Sequence, residues 1–207
     1  MNNNISSKQI LISILGVIIL IVAVIGISFA AFTYSQAGTK VNTITIGKIT
    51  MNYTEATNGI TLNDALPMTD ATGKALTGSG NTFDFTVNAN IQGSGTTTIN
   101  YLITITEVTT TFANTGIKVY LTSNNDATVE LTPTKVSELP TTQSSNTAGA
   151  PTGQRILKTG TVTATNTTVD QTTKYRLRMW VADDFSDSSK SGTYAIKVNV
   201  YGKANAQ

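Results

Sequence analysis

In "KYRLRMWVADDFSDSS", Lys174, Arg176 and Arg178 recur at every second position, Trp180 continues the row, and three acids, Asp183, Asp184 and Asp187, follow at once. Alternate residues of an extended strand share a face. The three cations and the indole therefore lie on one face, and Tyr175, Leu177, Met179 and Val181 on the other. Such a row is either a solvated sheet surface shielded by aliphatic stems, or a patch for an acidic wall polymer, a glycan or extracellular DNA, aided by an exposed indole. The aspartates offer the hard oxygen ligands that Ca²⁺ takes, although their spacing is not that of a helix–loop–helix calcium loop. Acidic, Ser/Gly-rich turns between strands are also ordinary.

What is missing narrows the chemistry further. The chain has no His and no Cys. Without His it lacks the usual general base near neutral pH and the usual zinc ligand. Without Cys it has no disulfide, thiol nucleophile, zinc–thiolate site or lipidated cysteine anchor. Paired carboxylates could hydrolyse glycosides unaided, but the acids are dispersed over strand ends and turns with no aromatic-rich cleft around them. The sequence predicts no enzyme and no cofactor. A net charge of +2 implies no specific nucleic-acid partner. Charged residues make up 13% of the chain, about half of the ~25% usual for soluble domains. Thr, Asn, Ser and Gly supply the polarity instead, as suits a β-rich surface protein.

These residues must be positioned by elements that begin after an apolar stretch. From Ile10 to Phe32 only Ser13 and Ser28 carry side-chain polarity, and Lys8 is the sole charge before Lys40. As a helix this stretch of 23 residues would rise about 34 Å, enough to cross a hydrocarbon core of ~30 Å. The sequence predicts export, with residues 1–37 as a signal peptide or a signal-anchor transmembrane helix and 38–207 as the ectodomain. Small residues set two candidate cleavage points, after Ala30 and after Ala37. Uncut, the segment would anchor the protein to the membrane; cut, it would release the protein outside the cell.

Beyond Gly38 the hydrophobic period is two. "VNTITIGKITMNY" alternates through Ile44 and Ile46, shifts phase at Gly47–Lys48 as a β-bulge would, and resumes through Ile49, Met51 and Tyr53. "FDFTVNANI", "TTINYLITI", "IKVYLT", "ATVELT", "RILKTGTVTAT", "KYRLRMWVA" and "TYAIKVNVYG" add further strand patterns, separated by turn clusters. "TPTKVSELP" has room for one short helical turn, and Pro140 to Gly153 reads as a polar surface loop. The fold expected is all-β: an antiparallel β-sandwich, jelly-roll-like, preceded by one N-terminal apolar helix.

The leader end "SFAAFTYSQAG", the strand "KVNTITIGKITM" with Asn42 and Gly47, and a cysteine-free β-rich remainder resemble the TasA/camelysin-type secreted proteins of Gram-positive bacteria. The motif match covers about 25 residues; the rest is similar in architecture. The resemblance implies export, trimming by a dedicated signal peptidase, a jelly-roll-like domain, and self-association into biofilm-matrix fibres in which a freed N-terminal segment fills a groove of the next subunit. Camelysin carries a metalloprotease label, which a chain without His does not support. Val41, Ile44, Ile46 and Ile49 mark the expected assembly strand, serving its own sandwich or a neighbour's. The alternative is a membrane-anchored monomeric adhesin or binding module for a glycan or wall polymer.

Overall fold

The computed structural model describes residues 33–37, 42–46, 49–55, 59–78, 80–92, 96–185 and 192–206. The apolar segment Ile10–Phe32, the candidate cleavage point at Ala30, and Val41 and Asp187 lie outside the described residues. No helix among the described residues is long and apolar enough to cross a membrane.

The folded unit begins at Thr33. Its strands are β1 (Thr33–Ala37), β2 (Asn42–Ile46), β3 (Ile49–Glu55), β4 (Ile60–Asn63), β5 (Pro67–Met68), β6 (Thr82–Ile91), β7 (Thr96–Thr110), β8 (Ile117–Ser123), β9 (Thr128–Lys135), β10 (Arg155–Thr165), β11 (Val169–Ala182) and β12 (Thr193–Ala206). One short helix, α1 (Asp70–Lys74), lies between β5 and β6. One sheet runs β1-β12-β7-β10, with β4 also on β12; the other runs β2-β3-β6-β11-β8-β9, with β5 on β11. Apart from the two-residue parallel pair β5–β11, the pairings are antiparallel.

The period-two pattern decides the packing. Phe83, Phe85, Val87, Ala89 and Ile91 of β6 and Tyr175, Leu177, Met179 and Val181 of β11 are buried on one inner face; Ile99, Tyr101, Ile103 and Ile105 of β7 and Ile196, Val198 and Val200 of β12 are buried on the other. Phe85 stacks on Tyr175 at 5.2 Å, and the Tyr175 and Tyr101 hydroxyls meet at 3.2 Å across the two sheets. The protein is an antiparallel β-sandwich. Gly160 lies opposite Tyr101 in the sheet, and a Cβ there would sit 2.1 Å from the ring, so only glycine lets the tyrosine lie flat across β10.

Three local expectations change. "VNTITIGKITMNY" is a hairpin, not one bulged strand: β2 pairs with β3, with Ile44 opposite Met51 and Ile46 opposite Ile49. Two intervening residues that include Gly also fit a tight hairpin, and alternation alone cannot separate the two readings. "TYSQA", read as the tail of the leader, is strand β1, pairing from Thr33–Lys203 to Ala37–Asn199. The 140–153 loop is not a free surface loop. It folds back over the outer face of the β1-β12-β7-β10 sheet, where Ala148 and Ala150 are buried against Leu102 and Tyr201. The short helical turn in "TPTKVSELP" is present, as a 3₁₀ turn at Val136–Glu138.

Candidate functional site

The cationic row occupies the outer face of β11, as alternation requires, but it is not an open patch. Asp84, directly opposite Arg176 on β6, takes its guanidinium in two bonds, Nε to Oδ1 at 2.7 Å and Nη2 to Oδ2 at 2.8 Å. Arg178 is 4% exposed. It donates through Nε to the Leu76 carbonyl at 2.7 Å, and through Nη1 and Nη2 to the two Asp126 oxygens at 2.8 and 2.9 Å. Its guanidinium also sits over the Tyr120 ring, 5.8 Å from the centroid.

Asp126 reaches Arg178 because the β8–β9 turn puts Asn124, Asn125 and Asp126 in succession at φ 54°, 57° and 68°. Asn and Asp tolerate that left-handed region better than other side chains bearing a Cβ. Thr122 Oγ1 donates to Asp126 Oδ1 at 2.6 Å, and Arg176 Nη1 reaches Asp126 Oδ2 at 3.5 Å. The Arg178 guanidinium holds the Asp126 carboxyl well below the usual carboxylate range, against the opposing pull of burial. Arg176 lowers Asp84 in the same way. Two guanidiniums are thus matched by two carboxylates. Lys174, exposed on the same row, makes no ion pair with a described residue.

Trp180 overturns the expected exposed indole: it is 0% exposed. The chain between β4 and β6 folds over this end of the sheet, and α1 lays Gly73 on the ring, where a Cβ would come within 2.3 Å of Cε2. Thr69 caps α1 by accepting from the Thr72 N–H at 3.4 Å. The indole N–H finds no acceptor among the described residues. Of the expected polymer-binding row of Lys174, Arg176, Arg178 and Trp180, the two arginines are ion-paired, the indole is buried, and Lys174 is exposed.

The acidic turn is also engaged. Asp184 meets Lys135 at 2.7 Å, and Lys118 meets Asp70 at 2.7 Å. The Asp70 carboxylate foremost, with Asp183 and Asp184 behind it, raises the Lys118 ammonium above its ordinary value despite burial. Asp183 is exposed on the same turn, and its charge adds to the field at Lys118. Among the described residues no group of three or more acids, His or Cys is gathered as a metal site would need.

A charged contact ties the two sheets together at their edges. Lys158 on β10 contacts Glu130 on β9, and Ser123 Oγ donates to the other Glu130 oxygen at 2.7 Å. Burial pushes the Glu130 carboxyl up, but Lys158 and Ser123 outweigh it and the net direction is down. A cleft of about 430 Å³ opens beside β4, lined by Leu62, Asn63, Leu66, Met68 and Asn81 among others. None of the described side chains that line it is ionisable.

No protein-family model matches the chain, and no curated protein matches it significantly. Among solved structures it is similar to the carbohydrate-binding module TmCBM61, determined in complex with β-1,4-galactotriose. Identity is 9%, the match covers 76% of this chain and 88% of that one, and the TM-score is 0.19. A likeness at that level bears on neither ligand nor assembly.

Proposed function

We propose that the chain is an exported, non-enzymatic structural protein whose sandwich polymerises at the cell surface by exchange of its N-terminal strand between copies. The apolar stretch Ile10–Phe32 supports export, with a signal peptidase and the membrane as its first partners. The observation that carries the assembly is the position of β1. It is five residues long, stands at the start of the folded unit, and among the described residues pairs with β12 alone, covering residues 199–203 of that edge. A terminal strand held along one edge can leave and be replaced by the same strand from another copy, because the exchanged state makes the same main-chain bonds. Each subunit then donates at one end and accepts at the other, and such a head-to-tail contact builds filaments unless it closes into a ring. β2 suits the role less, because the β2–β3 hairpin ties it to its own sheet.

Removal of β1 tests this reading, because protein beginning at Gly38 keeps the accepting edge of β12 but has no β1 to donate. Electron microscopy at rising concentration should show fibres for protein beginning at Ala31 and none for protein beginning at Gly38. Equal fibre formation by both forms, or an Ala31 form that stays monomeric at every concentration, would sink strand exchange and favour the monomeric binding module.

A further inference from the structure

An edge strand presents unpaired N–H and C=O groups that recruit another chain unless something blunts it. The edges of this sandwich are unequally protected. β9 carries Pro133, the charged Glu130 and Lys135, and two register shifts against β8. β1, β2 and β4 are four or five residues long. β10 is longer, at 11 residues, and only its start is covered. There Ile156 N–H donates to the Pro140 carbonyl at 2.8 Å, Thr141 bridges Arg155, and Lys158 is held by Glu130. From Thr159 to Thr165, the side facing away from β7 has no main-chain partner among the described residues. That stretch, "TGTVTAT", has no charge and no proline, and is rich in strand-forming Thr and Val.

We infer that this edge is a self-association surface, on which a second copy of the chain pairs β10 with β10 antiparallel about a two-fold axis. The stretch is complementary to itself. With the axis at Val162, Thr161 faces Thr163 of the second copy and Thr159 faces Thr165. Val162 and Ala164 stay on the core side, where both are already buried. No like charges meet. The threonine pairs are the kind the sheet already makes on its outer face, Thr98 with Thr163 at 3.1 Å and Thr96 with Thr165 at 3.4 Å, and such cross-strand pairs are favourable. Two sheets merge into one continuous sheet through an isologous contact. This edge lies opposite the β1 edge of the same sheet, so the contact is independent of strand exchange.

The test compares sedimentation of the full chain in detergent with two double variants, T161K/T163K and T161E/T163E. Both positions are exposed, and circular dichroism checks that the fold persists. The two-fold places 161 against 163, so each variant sets like charges opposite one another. Association should weaken at least tenfold in either variant and recover in an equimolar mixture, where the charges become opposite. Association through the apolar segment is common to all samples and cannot produce that recovery. In this cysteine-free chain, T161C/T163C should give an intermolecular disulfide dimer on mild oxidation, since directly opposed strand residues lie within bridging distance. Unchanged association in the charged variants, no recovery on mixing, or a cysteine variant that stays monomeric overturns the pairing.

Discussion

Asp126 grips the guanidinium of Arg178 from a backbone position that few residues occupy, and the two depend on each other. Replacing Asp126 with Ala leaves an almost fully buried guanidinium with only the Leu76 carbonyl and the Thr122 hydroxyl. Orphaning one member of a buried pair costs about 3–5 kcal/mol. The Asp126 side chain is 39% exposed, and solvent screening brings the expected loss to about 1–2 kcal/mol, measurable by urea denaturation. The pH dependence has a definite sign. Arg178 holds Asp126 below its ordinary value of 3.8, and Arg176 holds Asp84 below it too, so the unfolded chain binds more protons as pH falls through that value. Stability from these pairs is complete above about pH 4 and drains away on further acidification. D126N should flatten that acid limb. Gly73 gives a second prediction at this scale. Gly73→Ala drives a Cβ into the indole, costs about 1–3 kcal/mol, and should red-shift the emission of the chain's single tryptophan. Alternation correctly assigned Trp180 to the outer face. It could not show that α1 covers that face, because five helical residues with a Thr cap carry too little periodicity to stand out.

At the scale of elements, the strands were legible where one face is apolar. β6, β7, β8, β10, β11 and β12 each bury the residues that their period-two pattern marks. β1 escaped notice because "TYSQA" follows an apolar run and has no alternation of its own; it is a strand because β12 offers it an edge. The contact between Glu130 and Lys158 was also invisible, since it joins edge strands of different sheets whose pairing no local pattern encodes. This contact is expected to act as a clasp between the sheets. Glu130→Gln leaves the Lys158 ammonium, 21% exposed, without its counter-charge, and should destabilise the sandwich by about 2 kcal/mol. Replacing both residues with Leu should cost far less, because no orphaned charge remains. Chemical denaturation of the two variants measures the difference, and a double variant as destabilised as Glu130→Gln would rule out the orphaned charge as the cause of the loss.

For the molecule as a whole, the position of the N-terminal cut determines which sandwich exists. Processing after Ala30 would keep β1, whereas processing after Ala37 would remove it and bare residues 199–203 of β12. The bared edge loses several main-chain hydrogen bonds, each worth about 0.5–1.5 kcal/mol net. The ordering entropy of a five-residue strand opposes that gain at about 1–2 kcal/mol per residue, and only burial of apolar surface can tip the balance. Val200, 0% exposed on the strand that β1 covers, shows that apolar surface lies next to this edge. Protein beginning at Ala31 should therefore melt higher than protein beginning at Gly38, by the few degrees that about 1–2 kcal/mol corresponds to in a domain of this size. A synthetic peptide of residues 31–40 should restore the loss in the shorter form, with a midpoint that rises with peptide concentration as a ligand's does. The same peptide should act on the longer form only at higher concentration, because it must displace the chain's own β1, as strand exchange itself requires. Identical melting of the two forms, with no response to the peptide, would mean that β1 adds nothing to the sandwich, and the strand proposed for exchange would have no site to enter.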